Sequence, residues 1–262
     1  DAVRYLAGNA RLGVDTAIDD KVYKVGKRLV TKIFNASKFV LGQTAELHPI
    51  TAELDRAFVA ELRGLVELTT ESFERFDHAH ALMDTESFFW GRFTDTYIEL
   101  TKTRARAGGG EDERERGSAV AGLRLGLGVL LRLFAPFMPY ITEEVWSWAF
   151  AEETGHQSIH RAPWPRVEEL AEVAGPTDAG SFEIAVLAQA AINKAKAEAQ
   201  VSMGREVESL TLAAGPATLE RLRPVLSDVL AATRCGEHRL EPRDDLAEET
   251  FEVTEALFVE RG

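Results

Sequence analysis

The chain has 262 residues, 45% hydrophobic and 28% charged, with a net charge of −13 and an isoelectric point near 5.0. That length buries a substantial core in one large domain or two smaller ones, and the acidity excludes indiscriminate nucleic-acid binding. It leaves room for a local basic site, because exposed charges are screened beyond about 10 Å.

The single cysteine, Cys235, excludes an internal disulfide framework, implies no disulfide-linked partner and suits a reducing, cytoplasmic setting. No signal-peptide pattern is visible, and the opening DAVRYLAGNARLG reads as a piece of something longer. Residues 1–13 are expected to form a short helix, followed by the turn-rich GVDTAIDD.

From Lys21 to Leu41 the helical period is clear. Val25, Leu29, Ile33, Ala36 and Val40 make one apolar face, widened by Val30, Phe34 and Leu41. Lys24, Arg28, Thr31, Asn35 and Lys38 fall on the opposite side, and no acidic residue occurs between Asp20 and Glu46. A solvated outer face normally mixes its signs to form i,i+4 pairs. This one does not, and Asn35, a middling helix former, sits among the cations. The pattern points to an anionic partner, with Lys and Arg for phosphates and an amide for a base edge.

A second helix is expected over 51–81 and a third over 84–106, with Phe89, Phe93, Tyr97 and Leu100 along one face and Lys102, Arg104 and Arg106 at its basic end. For Phe88, Phe89 and Trp90, packing is expected rather than base stacking. GGGEDERERG reads as a solvated loop or frayed helix start. A fourth helix runs over 118–134, and GLRLGLGVLLRLFAPFMPYI, broken by arginines and prolines, reads as core rather than a membrane span. A fifth helix, TEEVWSWAF, carries Glu143 and Glu144, read as first-turn acids favoured by the helix dipole.

HQSIHRAPWPRVEEL reads as a wrapped segment and GPTDAGS as a linker. The remainder alternates helix and strand as a small α/β unit. The fold class is therefore mainly α: an antiparallel helical bundle followed by a small α/β unit. The expected domains are a connecting segment (1–20), the bundle (21–155), the wrapped segment and linker (156–180) and the α/β unit (181–262).

Catalytic signatures are absent from the sequence. There is no phosphate loop and no HExxH. His78 and His80, two apart on a helix, point to different faces and would not share a metal. Neither a catalytic nor a metal site is expected.

Several stretches resemble valyl-tRNA synthetases. KVGKRLVTKIFNASKFVLG is similar to their segment after the catalytic KMSKS loop, and LDRAFVAELRGLV to the next bundle helix. FFWGRFTDTYIELTK, LRLFAPFMPYITEEVW and SIHRAPWP resemble later signatures in the same order, covering about residues 1 to 165. INKAKAEAQVSMGREVESLTLAAG resembles a Lys-rich helix and strand of some synthetases of this branch. Ala135 and Ala57-Phe58 stand where the family has His and Trp.

The resemblance implies a helical bundle that binds tRNA and inspects its anticodon, with residues 1–20 buttressing the inner stem. Asn35 would bond a base edge or the loop backbone, with Lys38 a loop contact and Phe39 core. Lys24, Lys27, Arg28 and Lys32 would meet phosphates, with Lys102 and Arg104 as a secondary group. The HIGH-type and KMSKS motifs do not occur here, so the adenylate chemistry, with its ATP and magnesium, is expected in a separate catalytic domain that would itself be a partner. This piece is expected to need no cofactor and no membrane. The alternatives are the equivalent domain of an isoleucyl- or leucyl-type synthetase, and a helical protein–protein module whose stripe docks an acidic helix.

Overall fold

The computed structural model describes residues 1–11, 13–15, 20–44, 46–106 and 113–259. Helix α1 (Ala2–Gly8) lies against α2 (Asp20–Leu41), where Gly26 makes room for the Tyr5 ring. Tyr5 is buried and its hydroxyl donates to Glu86 at 2.5 Å.

The long helix expected over 51–81 is two helices, α3 (Glu53–Glu74) and α4 (His78–Ser87). The chain breaks at Phe76, which adopts φ 59° and is 80% exposed. Asp77 then starts α4 by accepting from the His80 N–H at 3.2 Å, the standard way a short acidic side chain satisfies an orphan donor. Its other carboxylate oxygen meets His80 Nδ1 at 2.6 Å, and the Arg11 guanidinium lies 3.0 Å from His80 Nε2.

α4 continues through a run of π-helical turns (Phe88–Tyr97) into α5 (Ile98–Ala105). Such i→i+5 turns are rare and tend to occur at functional sites. Phe89, Phe93, Tyr97 and Leu100 are all buried. Phe58 of α3 is the hub of their packing, with its ring 3.9 Å from Tyr97 and 5.8 Å from Phe93.

The glycine run of the charged loop lies outside the described residues, and α6 (Glu113–Phe134) begins earlier than the sequence suggested. By length and composition α6 could cross a membrane, but its Leu123, Leu127, Leu130 and Leu131 are buried in the bundle core. α7 (Pro139–Trp148) and α8 (Phe150–Thr154) complete the bundle.

Because α7 starts at Pro139, Glu143 and Glu144 are not in its first turn, which corrects the dipole assignment. The negative charge there comes from Asp1, whose carboxylate accepts from the N–H groups of Tyr140 (3.0 Å) and Ile141 (2.8 Å). Glu143 instead ties down the wrapped segment through the Ser158 hydroxyl and the Ile159 N–H. That segment holds one 3₁₀ turn (Ile159–Arg161) and α9 (Val167–Leu170).

The C-terminal unit is α10 (Ser181–Glu198), β1 (Val207–Ala214), α11 (Pro216–Leu222), α12 (Leu226–Thr233), β2 (Cys235–Pro242) and β3 (Phe251–Phe258). Its sheet has the order β2-β1-β3, with β1 parallel to β2 and antiparallel to β3. Residues 210–214 of β1 are all buried, so this central strand is covered on both faces.

The stretch expected as a linker is fixed to the bundle. Glu53 accepts from the N–H groups of Thr177 and Asp178 and from the Ser181 hydroxyl. Arg56 donates to the Gly175 carbonyl, and Arg221 grips Asp178. Phe182 of α10 lies 6.2 Å from Phe58, so the bundle core and the core of the α/β unit are continuous.

Lys196 is fully buried on α10, and among the described residues no carboxylate hydrogen-bonds it. Its ammonium donates to the carbonyls of Met203 (3.0 Å), Arg205 (2.8 Å) and Thr233 (2.6 Å). Burial, aided by the nearby Arg234 charge, holds its pKa below the usual lysine value. Lys196→Met strands three carbonyls and is expected to cost about 2–4 kcal/mol. Calorimetry of the variant checks this.

Candidate nucleic-acid interface

The outer face of α2 carries the stripe. Lys24, Lys27, Arg28, Thr31, Asn35 and Lys38 are all exposed, while Leu29, Ile33, Ala36 and Val40 are buried beneath them. From residue 24 to 38 the helix rises about 21 Å at ~1.5 Å per residue. Among the described residues, Lys24, Lys27, Arg28 and Lys38 form no ion pair with a carboxylate, and the Asn35 amide makes no hydrogen bond. Lys27 instead lies 5.0 Å from the Tyr23 ring centroid.

Two aromatic features flank the stripe. On one side, the π-helical turns bring Trp90 against α2, where it is half-buried. The Lys32 ammonium sits 5.0 Å over its ring and 2.9 Å from Asp95 Oδ1. Lys32 is thus the one stripe candidate already partnered by a carboxylate. Trp90 closes a groove of about 310 Å³ shared with Lys27, Arg28, Thr31, Lys32 and Asn35. The expectation of packing holds for Phe89, which is buried, and for Phe88 and Trp90, which are half-buried against the core; Trp90 also borders the groove.

On the other side, Phe34 is exposed rather than widening the apolar face, and it packs edge-on against Trp148 with centroids 5.5 Å apart. Lys38 lies 5.6 Å from the Phe34 ring, and the Trp148 indole N–H donates to Glu144.

The secondary group divides. Lys102 is half-buried and its ammonium is held by Glu99. Arg104 is not on a surface at all, which corrects its assignment as a tRNA contact. Its side chain is 6% exposed and clamped between Asp55 (2.8 and 2.9 Å) and Asp228 (2.9 and 3.1 Å). Tyr97 and Ser118 hydroxyls also donate to Asp55. Burial by itself would depress the Arg104 pKa, but the two carboxylates hold it well above the usual arginine value. A buried cation so paired has no valence left for phosphate. Elsewhere, among the described residues, no three His, Cys, Asp or Glu side chains converge as a metal site.

The family model for the anticodon-binding domain of tRNA ligase matches residues 55–211. The chain belongs to the anticodon-binding domain family of tRNA ligases. Among curated relatives, the valine–tRNA ligase of Thermobifida fusca (strain YX) is 43% identical over 94% of this chain and 27% of its own length. That of Bifidobacterium longum (strain NCC 2705) is 40% identical over 89% of the chain and 27% of its own length. That of Leifsonia xyli subsp. xyli (strain CTCB07) is 36% identical over the whole chain and 30% of its own length. This anticodon-binding domain with its α/β unit therefore spans less than a third of the relatives it matches.

The sequence located α2 and its cations. It missed Phe34 and Trp148 as surface groups, and the groove that half-buried Trp90 borders. A signal was present for one of them: Phe34 lies one residue from Asn35 and four from Lys38, at the margin of both faces.

Proposed function

We propose that this chain is the tRNA-reading part of a valine–tRNA ligase, supporting ATP-dependent attachment of valine carried out elsewhere in a longer protein. The observation that carries the reading is the set Lys24, Lys27, Arg28 and Lys38 on α2, exposed and without carboxylate partners among the described residues, in an acidic chain and flanked by two tryptophans. A tRNA anticodon loop offers what this surface lacks: closely spaced phosphates and unpaired bases that can be stacked and hydrogen-bonded. Lys24, Lys27, Arg28 and Lys38 would meet the phosphates. The Phe34–Trp148 pair would stack a base, an interaction worth about 1–3 kcal/mol per base. Holding the loop here orients the acceptor end toward the distant reaction centre and raises its effective concentration there. The relatives described above are valine–tRNA ligases, which favours valine over the other aliphatic amino acids.

The test is binding of the 262-residue chain to valine tRNA, isoleucine tRNA and a valine tRNA carrying a swapped anticodon, at several salt concentrations. The reading expects preference for the valine anticodon and a log–log salt slope of about −0.7 for each phosphate contact. Salt-steep binding indifferent to anticodon would reduce the site to a phosphate clamp. No binding at low salt would refute the tRNA reading.

A further inference from the structure

The groove beside the stripe has features that phosphate contact alone does not require. Its volume of about 310 Å³ lies at the small end of the roughly 300–1,000 Å³ typical of ligand pockets. One wall is the Trp90 ring, which is not free to turn away. Its indole N–H points at Glu86 Oε1 at 3.3 Å, and Glu86 in turn accepts from the Tyr5 hydroxyl of the N-terminal segment. The α2 side supplies Asn35, whose amide makes no hydrogen bond among the described residues, and Thr31, whose hydroxyl donates to the Lys27 carbonyl at 3.2 Å and keeps its lone pairs open. Lys27 and Arg28 complete the rim.

Lys32 crosses this space. Its ammonium covers the Trp90 face at 5.0 Å while bonded to Asp95. Asp95 is largely exposed, with 60% of its side chain accessible, and exposed pairs of this kind are weak and easily exchanged.

We propose that this groove is a pocket for one unpaired nucleobase, with Trp90 as its stacking wall and Lys32 as a gate that Asp95 holds across it. The proposal rests on the RNA reading above. A flat aromatic surface beside an unspent amide and an open hydroxyl matches a base, which has a π-face and a polar edge. Arrival of the nucleotide resolves the conflict over the Trp90 face. Its phosphate takes the Lys32 ammonium from Asp95, and the base takes the ring face that the ammonium vacates. Asp95 is therefore a competitor built into the site, and its loss strengthens binding although it sits in the interface.

The experiment uses the whole chain and the anticodon stem-loop of a valine tRNA, intact and with each loop nucleotide made abasic in turn. Wild type, Trp90→Leu, Trp90→Phe and Asp95→Asn are compared after their melting curves confirm folding. Trp90→Leu is expected to weaken the intact loop by roughly 5- to 100-fold. At one loop position the abasic lesion and Trp90→Leu are expected to be non-additive, since each removes the same stacked pair. Asp95→Asn is expected to tighten binding about 2- to 5-fold, the scale of releasing one exposed ion pair. Trp90→Phe keeps a stacking ring and is expected to bind within about 2-fold of wild type, while the binding-induced change in indole emission shrinks to the part that Trp148 supplies.

Penalties that multiply at every loop position, or an Asp95→Asn variant that binds more weakly, would overturn the pocket. If Trp90→Leu fails to fold, an emission change on binding that persists undiminished in Trp90→Phe would do the same. In those cases salt-dependent binding by wild type leaves the tRNA reading standing. A wild-type chain that does not bind the stem-loop overturns both.

Discussion

Replacing Arg104 by Met is expected to destabilise the chain by about 3–5 kcal/mol, because two buried carboxylates then lose the cation they share. At about 2–4 °C per kcal/mol for a chain of this size, the melting temperature falls by roughly 6–20 °C. The effect reaches both parts of the molecule: Arg104 stands on α5 in the bundle, Asp55 on α3, and Asp228 on α12 of the C-terminal unit. Calorimetry should therefore show one shifted transition. Separate transitions for bundle and α/β unit would contradict the continuous core that Phe58 and Phe182 form.

One guanidinium between two carboxylates leaves a negative charge in excess, and this has a pH signature. Burial pushes the Asp228 carboxyl up to about 6, against 3.8 ordinarily, despite the opposing pull of Arg104. The folded state thus takes up this proton more readily than the unfolded state. The group's favourable contribution is full below about pH 4 and is lost as pH rises through about 6. Relative to Asp228→Asn, which cannot titrate, wild type should gain up to about 2–3 kcal/mol between pH 7 and pH 4. Paired denaturant titrations across that range measure the difference. A constant difference would mean that Asp228 stays ionised throughout.

Arg104 also shows where sequence reasoning stops. Lys102 and Arg104 near a helix end look like any basic last turn, because their partners lie far away in the chain. Asp55 is 49 residues distant and Asp228 is 124. A clue lay in the partners themselves: Asp228, the one acid of VLSDVLAAT, sits among apolar residues, and a charge buried there requires a counter-charge.

The bundle was legible because α2, α3 and α6 are long and strongly periodic. Its corners were less so. The break at Phe76 uses a left-handed residue that carries no glycine signal, and Asp77 as a cap is visible only once the break is known. Trp90 packs against the core as expected, but the groove it borders with α2 was not legible. Period counting assumes α-helical turns, and the π-helical run from Phe88 to Tyr97 changes which side chains face α2.

The stripe, by contrast, was readable because it needs only local spacing, and it supports the largest functional effect. Lys24→Gln, Arg28→Gln and Lys38→Gln in one protein are expected to lower affinity for valine tRNA by roughly 100-fold at moderate salt and to make the log–log salt slope shallower by about 2. All three side chains are exposed and without carboxylate partners among the described residues, so stability should stay within about 0.5 kcal/mol of wild type. A control triple, Lys194→Gln, Arg223→Gln and Arg239→Gln on the C-terminal unit, removes the same charge from a chain already at −13. If net charge governed association through its long-range field, both triples would weaken binding alike. If placement governs it, only the α2 triple does, because screening confines each cation to phosphates within about 10 Å. That contrast decides whether an acidic protein binds an acidic polymer through one helix face.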